Sequence, residues 1–361
     1  MIIAYLVALI LVMPILVIHE LMMKSKNSKR KEYTMVMIYT VIIFLVITGL
    51  RDTATISIEH YRQSDELTYR RTFDMLIGTR FSLLNVNSFE WLRYVLDWTL
   101  ANVFKSSQIW VFTYAFITNF LYVYAIRKYV KPFWVGIFLY ITVGVFIFQM
   151  NGTTTVLASA ILLQSFRFAI ERKFWKYLFV VFIASGIHFS AWVMLPLYFV
   201  LTKKFFTKGT PIWIMISILF MFGFNSIANF ILPKTPYAHY LYQINGEEIQ
   251  GVNVLRIITF VTVYFFILTF TKKIKNFSST DRYFTNMIII LLTINIASGV
   301  YVYIYRFNEI FIFALIYMLP RIIYSFRSSI RYFLLLVFLL AFFIFGIQQS
   351  WNILYENILF K

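Results

Sequence analysis

The chain contains no cysteine. That excludes a disulfide framework, a thiolate nucleophile and any cysteine-ligated metal site. Histidine is nearly as scarce: the four, at 19, 60, 188 and 239, fall into no HxxxH or HExxH spacing. No DxD-type acidic pair occurs either, so neither a bound metal nor any other cofactor is expected. Charge is sparse, at 13% of residues, against about a quarter in an average soluble domain. Acidic groups are the rarer sign, with 15 Asp and Glu against 33 Lys and Arg. The resulting net charge of +18 invites a nucleic-acid reading, but the basic residues come in short clusters between apolar runs and line no continuous face. Positive loops beside anionic headgroups account for them, and no nucleic-acid partner is expected.

What is abundant is apolar surface. Hydrophobic residues make up 61% of the 361, and aromatics 20%, including 41 Phe and 25 Tyr. Mean hydropathy is +0.77. A water-soluble core able to bury this much would exceed what the chain length can enclose. Lipid must be the second solvent.

A spanning helix needs about 20 apolar residues, because helices and closed barrels alone satisfy their own backbone in hydrocarbon. Apolar runs fall at 2–23, 33–50, 107–126, 133–150, 153–170, 174–187, 189–202, 210–231, 253–271, 284–304, 307–325 and 332–350. The fold class expected is all-α: a polytopic transmembrane helical bundle of about 12 spans, with roughly 11 to 14 compatible with the pattern. It forms a single integral membrane domain over 1–361. The runs 174–187 and 189–202 are short and call for tilt, a break near Gly186, or extension into the interface. Residues 88–104 are amphipathic, with Glu90, Arg93 and Asp97 among Trp and Leu; they predict an interfacial or re-entrant helix.

Basic clusters at 24–31, 127–131, 172–176, 203–208, 272–275 and 321–331 fall on alternate connections, hence on one side, which the positive-inside rule makes cytoplasmic. Both termini then lie outside. The first run lacks a basic leader and ends in Lys-rich sequence, so it is expected to be retained rather than cleaved. The outer connections are the loop 51–106 with its amphipathic helix, a second loop 232–252, and turns near Asn151, His188 and Arg306. They hold nearly all the acid–base and anion-binding groups.

Each of those groups has a plain reading beside a functional one. The first loop mixes Arg51, Asp52, Glu59, His60, Arg62, Asp65, Glu66, Tyr69, Arg70 and Arg71. It is either a self-paired solvated surface, or a set of guanidiniums that grip an anionic headgroup while Asp65 or Glu66 takes a proton from a hydroxyl. His188 either satisfies a local carbonyl or serves as a base. Arg306 either snorkels, pairs with Glu309 three residues on, or binds an anion. Asn151 to Thr155 read first as an N-cap cluster, with anion binding at the helix start as the second option.

The order of these pieces resembles a known family. Gly49-Leu50-Arg51 ends the second run, Asp65-x-x-x-Tyr69 follows in the outer loop, and a polar helix start runs from Asn151 to Ala160. His188-x-Ser190 then sits between helices, and Tyr305-Arg306-Phe307 opens a late one. This is similar to the EpsG-type branch of the Wzy polysaccharide polymerases. Gln63-Ser64 stands where the family usually has Gly-Thr, and Thr154-Thr155 where it usually has Arg-Gln, which shifts weight onto Arg51 and Arg306. The resemblance implies an architecture like the C-type membrane glycosyltransferases. It implies a polymerase of the bacterial inner membrane that joins repeat units of O-antigen, capsule or exopolysaccharide carried on undecaprenyl diphosphate, acting on the extracytoplasmic face. Asp65, Glu66 and His188 are then the catalytic candidates. Arg51, Arg62, Arg70 and Arg306 are the diphosphate-binding candidates, and Asp52, His60, Tyr69, Glu90, Arg93, Asn151 and Tyr305 line the substrate. Partners implied are the lipid-linked donor and acceptor, membrane lipids and a chain-length regulator. The alternatives are a flippase for the same lipid-linked oligosaccharides or another lipid-dependent glycosyltransferase; a flippase would place charge at mid-bilayer depth, where these runs carry almost none.

Overall fold

A computed structural model of the chain describes residues 1–25, 31–52, 65–82, 90–203, 252–299, 302–351 and 355–357, with isolated positions between 212 and 238. His60, Arg62, His239 and most of the 210–231 run and the 232–252 loop lie outside the described residues. In chain order the longer elements are α1 (Ile2–Ser25), α2 (Lys31–Gly49), β1 (Arg51–Asp52), α3 (Asp65–Asp74) and α4 (Trp91–Phe104). There follow α5 (Ser107–Tyr129), α6 (Phe133–Thr142), α7 (Thr153–Leu162), α8 (Phe174–Ile187) and α9 (Val254–Phe270). The last are α10 (Ser279–Ala297), α11 (Phe313–Ile323), α12 (Ser328–Trp351) and β2 (Glu356–Asn357).

Four of these are long and apolar enough to cross a membrane: Ile2–Met22, Ser107–Tyr129, Val254–Lys273 and Ser328–Trp351. Shorter apolar helices occupy Thr34–Gly49, Phe133–Thr142, Thr153–Leu162, Phe174–Ile187 and Phe313–Ile323. The protein is an all-α membrane protein, but several runs expected to be continuous are broken. The run 133–150 stops at Gly144, whose φ of 104° lies in the left-handed region, and restarts as Val145–Phe148. In 153–170 the helix ends at Leu162, and Ser165 Oγ donates to the Leu162 carbonyl at 2.7 Å before a short helix resumes at Phe166. The run 189–202 is a 3-10 turn over Phe189–Val193 followed by the short helix Met194–Leu197, which contains Pro196. The run 307–325 divides into Asn308–Phe311 and α11. Conversely, α10 begins five residues before the expected 284, because Ser278 and Asp281 form a capping box at its start.

The chain packs as two compact units. The first comprises Met1–Phe166, Leu178–Trp192 and Phe326–Lys361; the second comprises Arg167–Tyr177 and Val193–Ser325. In the first, α2 lies along α5, and α1 packs on α2, α6 and α12. Its interior is not uniformly apolar. Asn119, wholly buried on α5, donates to Thr48 Oγ1 at 2.9 Å and accepts from Tyr140 OH at 3.0 Å and Gln149 Nε2 at 3.2 Å. Such a network fixes one register between α2, α5 and α6, since any slip strands several buried polar groups at once. In the second unit α10 packs between α9 and α11. Buried Asp281 there accepts from Tyr317 OH at 2.9 Å and Arg321 Nε at 3.2 Å.

The end of α2 positions the site. A helix leaves its last four carbonyls without intrahelical partners, and here each finds a side chain. Val46 O accepts from Asn357 Nδ2 at 3.0 Å and Ile47 O from Tyr355 OH at 2.6 Å. Thr48 O accepts from Arg51 Nη1, and Gly49 O from Gln108 Nε2 at 2.7 Å. The β1–β2 pair, with Arg51 opposite Asn357 and Asp52 opposite Glu356, holds the donors from 355–357 in place.

Candidate functional site

The first unit gathers most of the residues singled out from sequence around the end of α2. Arg51 sits two residues past the end of α2, where a cation complements the negative end of the helix dipole. Its guanidinium is fully engaged: Nε donates to Glu66 Oε2 at 2.9 Å, Nη1 to Thr48 O, and Nη2 to Thr153 Oγ1 at 3.5 Å. Glu66 lies in the first turn of α3, which favours its negative charge, and its side chain is 1% exposed. Its other oxygen accepts from Arg70 Nε at 3.2 Å, one helical turn on. One buried carboxylate therefore holds two guanidiniums. Arg70 also donates from Nη1 and Nη2 to Gln108 Oε1 at 3.3 Å, and from Nη2 to the Arg51 carbonyl at 3.3 Å. Burial lowers its pKa, against the opposing pull of Glu66.

Asp65 opens α3 half-buried, and its backbone N–H donates to Asn151 Oδ1 at 3.2 Å. This corrects the N-cap reading of Asn151: the cap position of α7 is Gly152, no side chain caps it, and the Asn151 side chain instead ties α3 to the start of α7. Thr154 makes a parallel tie, its Oγ1 bonding Tyr69 OH at 3.0 Å. Of the threonines that open α7, Thr153 thus bonds Arg51, and Thr154, which stands at the first of the family's Arg-Gln positions, bonds Tyr69. Asp52, in β1, is half-buried.

The second part of the site stands on α4. Glu90, at its N-cap position, accepts from Arg93 Nη1, lies 2.6 Å from His188 Nδ1 through Oε1, and receives the Phe189 N–H at 3.3 Å. Burial raises its pKa, but the hydrogen bond with His188 and the charge of Arg93 outweigh this, and the net shift is downward. An ionised carboxylate can only accept, so His188 Nδ1 must donate, and the neutral ring carries its lone pair on Nε2. Arg93 also lies 3.8 Å from Asp97 and 5.3 Å from the Tyr69 ring centroid. Burial works to lower its pKa, but Glu90, Tyr69 and Asp97 together raise it. Tyr69, which packs on Trp110 at 5.9 Å, is pushed up to about 12, first by burial and then by Asp65. Asp97 accepts from Trp110 Nε1 at 2.8 Å and Tyr114 OH at 2.7 Å, and burial raises its pKa to about 6. Gly186 permits the approach of α8 to α4, since a Cβ there would lie 2.8 Å from the Trp91 ring and Leu92 Cβ.

The second unit holds a separate polar group. Tyr305 lies under Arg256, whose guanidinium carbon is 4.1 Å from the ring centroid. Asn308 Nδ2 donates to Tyr305 OH at 3.4 Å and accepts through Oδ1 from Asn295 Nδ2 at 3.0 Å. Buried Glu309 feels the charge of Arg256. Arg306 is half-buried between the short helices Val302–Tyr305 and Asn308–Phe311.

Sequence reasoning missed Gln108 and Arg256. Gln108 carries no signal of its own, being one amide at the start of an apolar run; its role depends on partners 38 and 59 residues away. Arg256 had a signal, a lone charge in the first turn of a spanning helix, which is costly there unless it serves something. Among the described residues, no group of three or more His, Asp or Glu is placed to hold a metal ion.

Compared with known proteins, residues 53–358 match a family model described as EpsG family. No curated protein and no solved structure matches the chain.

Proposed function

Since the chain belongs to the EpsG family, the family of exopolysaccharide and Wzy-type polymerases, we propose that it joins oligosaccharide repeat units carried on undecaprenyl diphosphate, at the outer leaflet of the cytoplasmic membrane. The growing chain leaves its lipid diphosphate and is transferred to a sugar hydroxyl of the next lipid-linked unit. Three tasks follow: charge on the departing diphosphate must be met, the attacking hydroxyl must lose its proton, and both substrates must be held.

The observation that carries this reading is the pairing of a two-arginine cluster with a carboxylate-oriented histidine in one unit. Arg70 is the more accessible of the two guanidiniums, with 13% of its side chain exposed against 4% for Arg51. It is assigned the diphosphate, with Arg51 fixing the frame around Glu66. Glu66 already has each carboxylate oxygen taken by a guanidinium. His188 is assigned as the base: Glu90 holds Nδ1–H, so Nε2 takes the hydroxyl proton and the resulting imidazolium stays paired with Glu90. Asp65, half-buried at the start of α3, is assigned to the acceptor sugar hydroxyls together with Asn151. In the second unit, Arg306 and Tyr305 with Arg256 are assigned separately to an anionic lipid headgroup.

The test is reconstitution of the purified protein with defined lipid-linked repeat units. A ladder of longer products is expected, and products confined to a single repeat would refute polymerisation. Passage of the lipid-linked unit across sealed liposomes would make the protein a transporter instead.

A further inference from the structure

One row along α5 combines exposed aromatic rings with an end that meets the arginine cluster. Phe112, Phe116, Phe120 and Tyr124 are exposed by 37%, 45%, 39% and 38%, while Trp110, Tyr114 and Tyr122 on the opposite faces are wholly buried. The four recur every fourth residue, which places them in one row along the helix. The last three rings are stacked: Phe116 and Phe120 at 6.1 Å and 24°, Phe120 and Tyr124 at 6.3 Å and 16°. The exposed face of α1 is aliphatic by comparison, with Ile3, Ile10, Leu11, Ile15 and Ile18, while α8 also exposes aromatics, Trp175, Phe179 and Phe182. Contact with ordinary acyl chains needs no more than an aliphatic face.

The ends of the row are also distinctive. One turn before Phe112 on the same row stands Gln108, whose Oε1 receives both Nη groups of Arg70. At the other end Lys128 places its Nζ 5.8 Å from the Tyr124 ring centroid. From Gln108 to Tyr124 is sixteen residues, or about 24 Å at the helical rise of about 1.5 Å per residue, most of the ~30 Å hydrocarbon thickness. The row begins at a cation suited to a diphosphate and continues as a strip of flat apolar rings.

We propose that this row seats the polyprenyl chain of a lipid-diphosphate substrate, with its head at Arg70 and Gln108 and its isoprene units laid along Phe112, Phe116, Phe120 and Tyr124. The inference rests on the functional reading above, which supplies the diphosphate-linked substrate, and goes beyond it in assigning the tail a track. Aromatic rings contact the methyl branches and double bonds of an isoprenoid over more area than aliphatic side chains do. Stacking already orders the rings, so little side-chain freedom is lost on binding. A phospholipid offers largely unbranched acyl tails and meets Arg70 with the single charge of a phosphodiester, and the polyprenyl diphosphate is the occupant that fits both ends.

The test uses the full chain in liposomes and a polyprenyl diphosphate bearing a photoreactive group on its tail. Crosslinks are expected within 109–124, to be competed by unlabelled polyprenyl diphosphate and not by added phospholipid. Labelling confined to other helices, or equal competition by phospholipid, overturns the proposal. In elongation assays, donors with a long polyprenyl tail should show a KM about tenfold below that of short-tailed donors. Phe116→Leu with Phe120→Leu should bring that ratio towards one. An unchanged ratio would count against the track. Elongation without labelling of α5 sinks this inference alone, whereas labelling of α5 without elongation sinks the polymerase reading and leaves the track standing.

Discussion

Asp97 offers a quantitative test of how the α4–α5 junction is held. Its side chain is buried, and a single oxygen, Oδ1, accepts both the Trp110 and the Tyr114 hydrogen bonds, while Oδ2 faces Arg93 Nε at 3.8 Å. Burial lifts its pKa from 3.8 to about 6, against the pull of Tyr114, Arg93 and Trp110. The folded state therefore holds a proton over a window in which the unfolded chain has lost it. Stability from this group is fully present below pH ~4 and is lost as pH rises through ~6. At about 1.4 kcal/mol per pKa unit the loss amounts to about 3 kcal/mol, or about 4 °C in Tm for a chain of this size. Asp97→Asn removes the titration, and its amide oxygen keeps both hydrogen bonds. The difference in Tm between variant and wild type should be near zero at pH 4 and grow to about 4 °C in favour of the variant at pH 7.5. Thermal unfolding in detergent, followed by tryptophan emission, measures it, and comparing the two proteins cancels the titration of other groups. A difference that stays flat across that range, or that falls as pH rises, would refute the assignment of a strained, buried carboxylate.

Glu66→Ala leaves the guanidiniums of Arg51 and Arg70 without their shared counter-charge, and a cost of about 3–5 kcal/mol is expected; Glu66→Gln should recover part of it in the same unfolding assay. Glu90→Gln loses the carboxylate that fixes the His188 tautomer, so kcat for elongation should fall roughly 10²-fold or more with KM little changed. Its pH profile should shift as well, which a purely structural defect would not produce. Arg70→Ala should raise KM for the lipid-linked donor by at least about tenfold, read from initial rates against donor concentration. Tyr355→Phe and Asn357→Ala each remove one donor from the end of α2 and should each cost about 1 kcal/mol, measured by thermal unfolding.

Much of this was legible from the chain itself, for reasons that differ by element. The start of α5 at Ser107 and the extents of α1, α9 and α12 follow from unbroken apolar runs, because hydrocarbon tolerates no other backbone there. The helical break at Gly144 was not legible, since a glycine in an apolar run signals permission for a left-handed turn and not its use. Residue types at the candidate site were visible, including Arg51, Glu66, Arg70, Glu90 and His188. Their partnerships were not: Glu90 and His188 are 98 residues apart, and nothing local joins them. Asn151 shows the reverse case, where local capping chemistry pointed to one role and a contact with Asp65, 86 residues away, gave it another.

The carbonyls at the end of α2 carry a consequence for biogenesis. Two of their four donors, Tyr355 and Asn357, lie 308 and 311 residues downstream. A chain emerging from the ribosome inserts α2 long before those donors exist, so Val46 and Ile47 first rely on water. Ring closure over such a separation is slow and comes late. The arginine cluster is thereby assembled around a helix end that is finished only after nearly the whole protein is in the membrane, and a partly inserted chain carries the catalytic candidates without a completed frame to hold them.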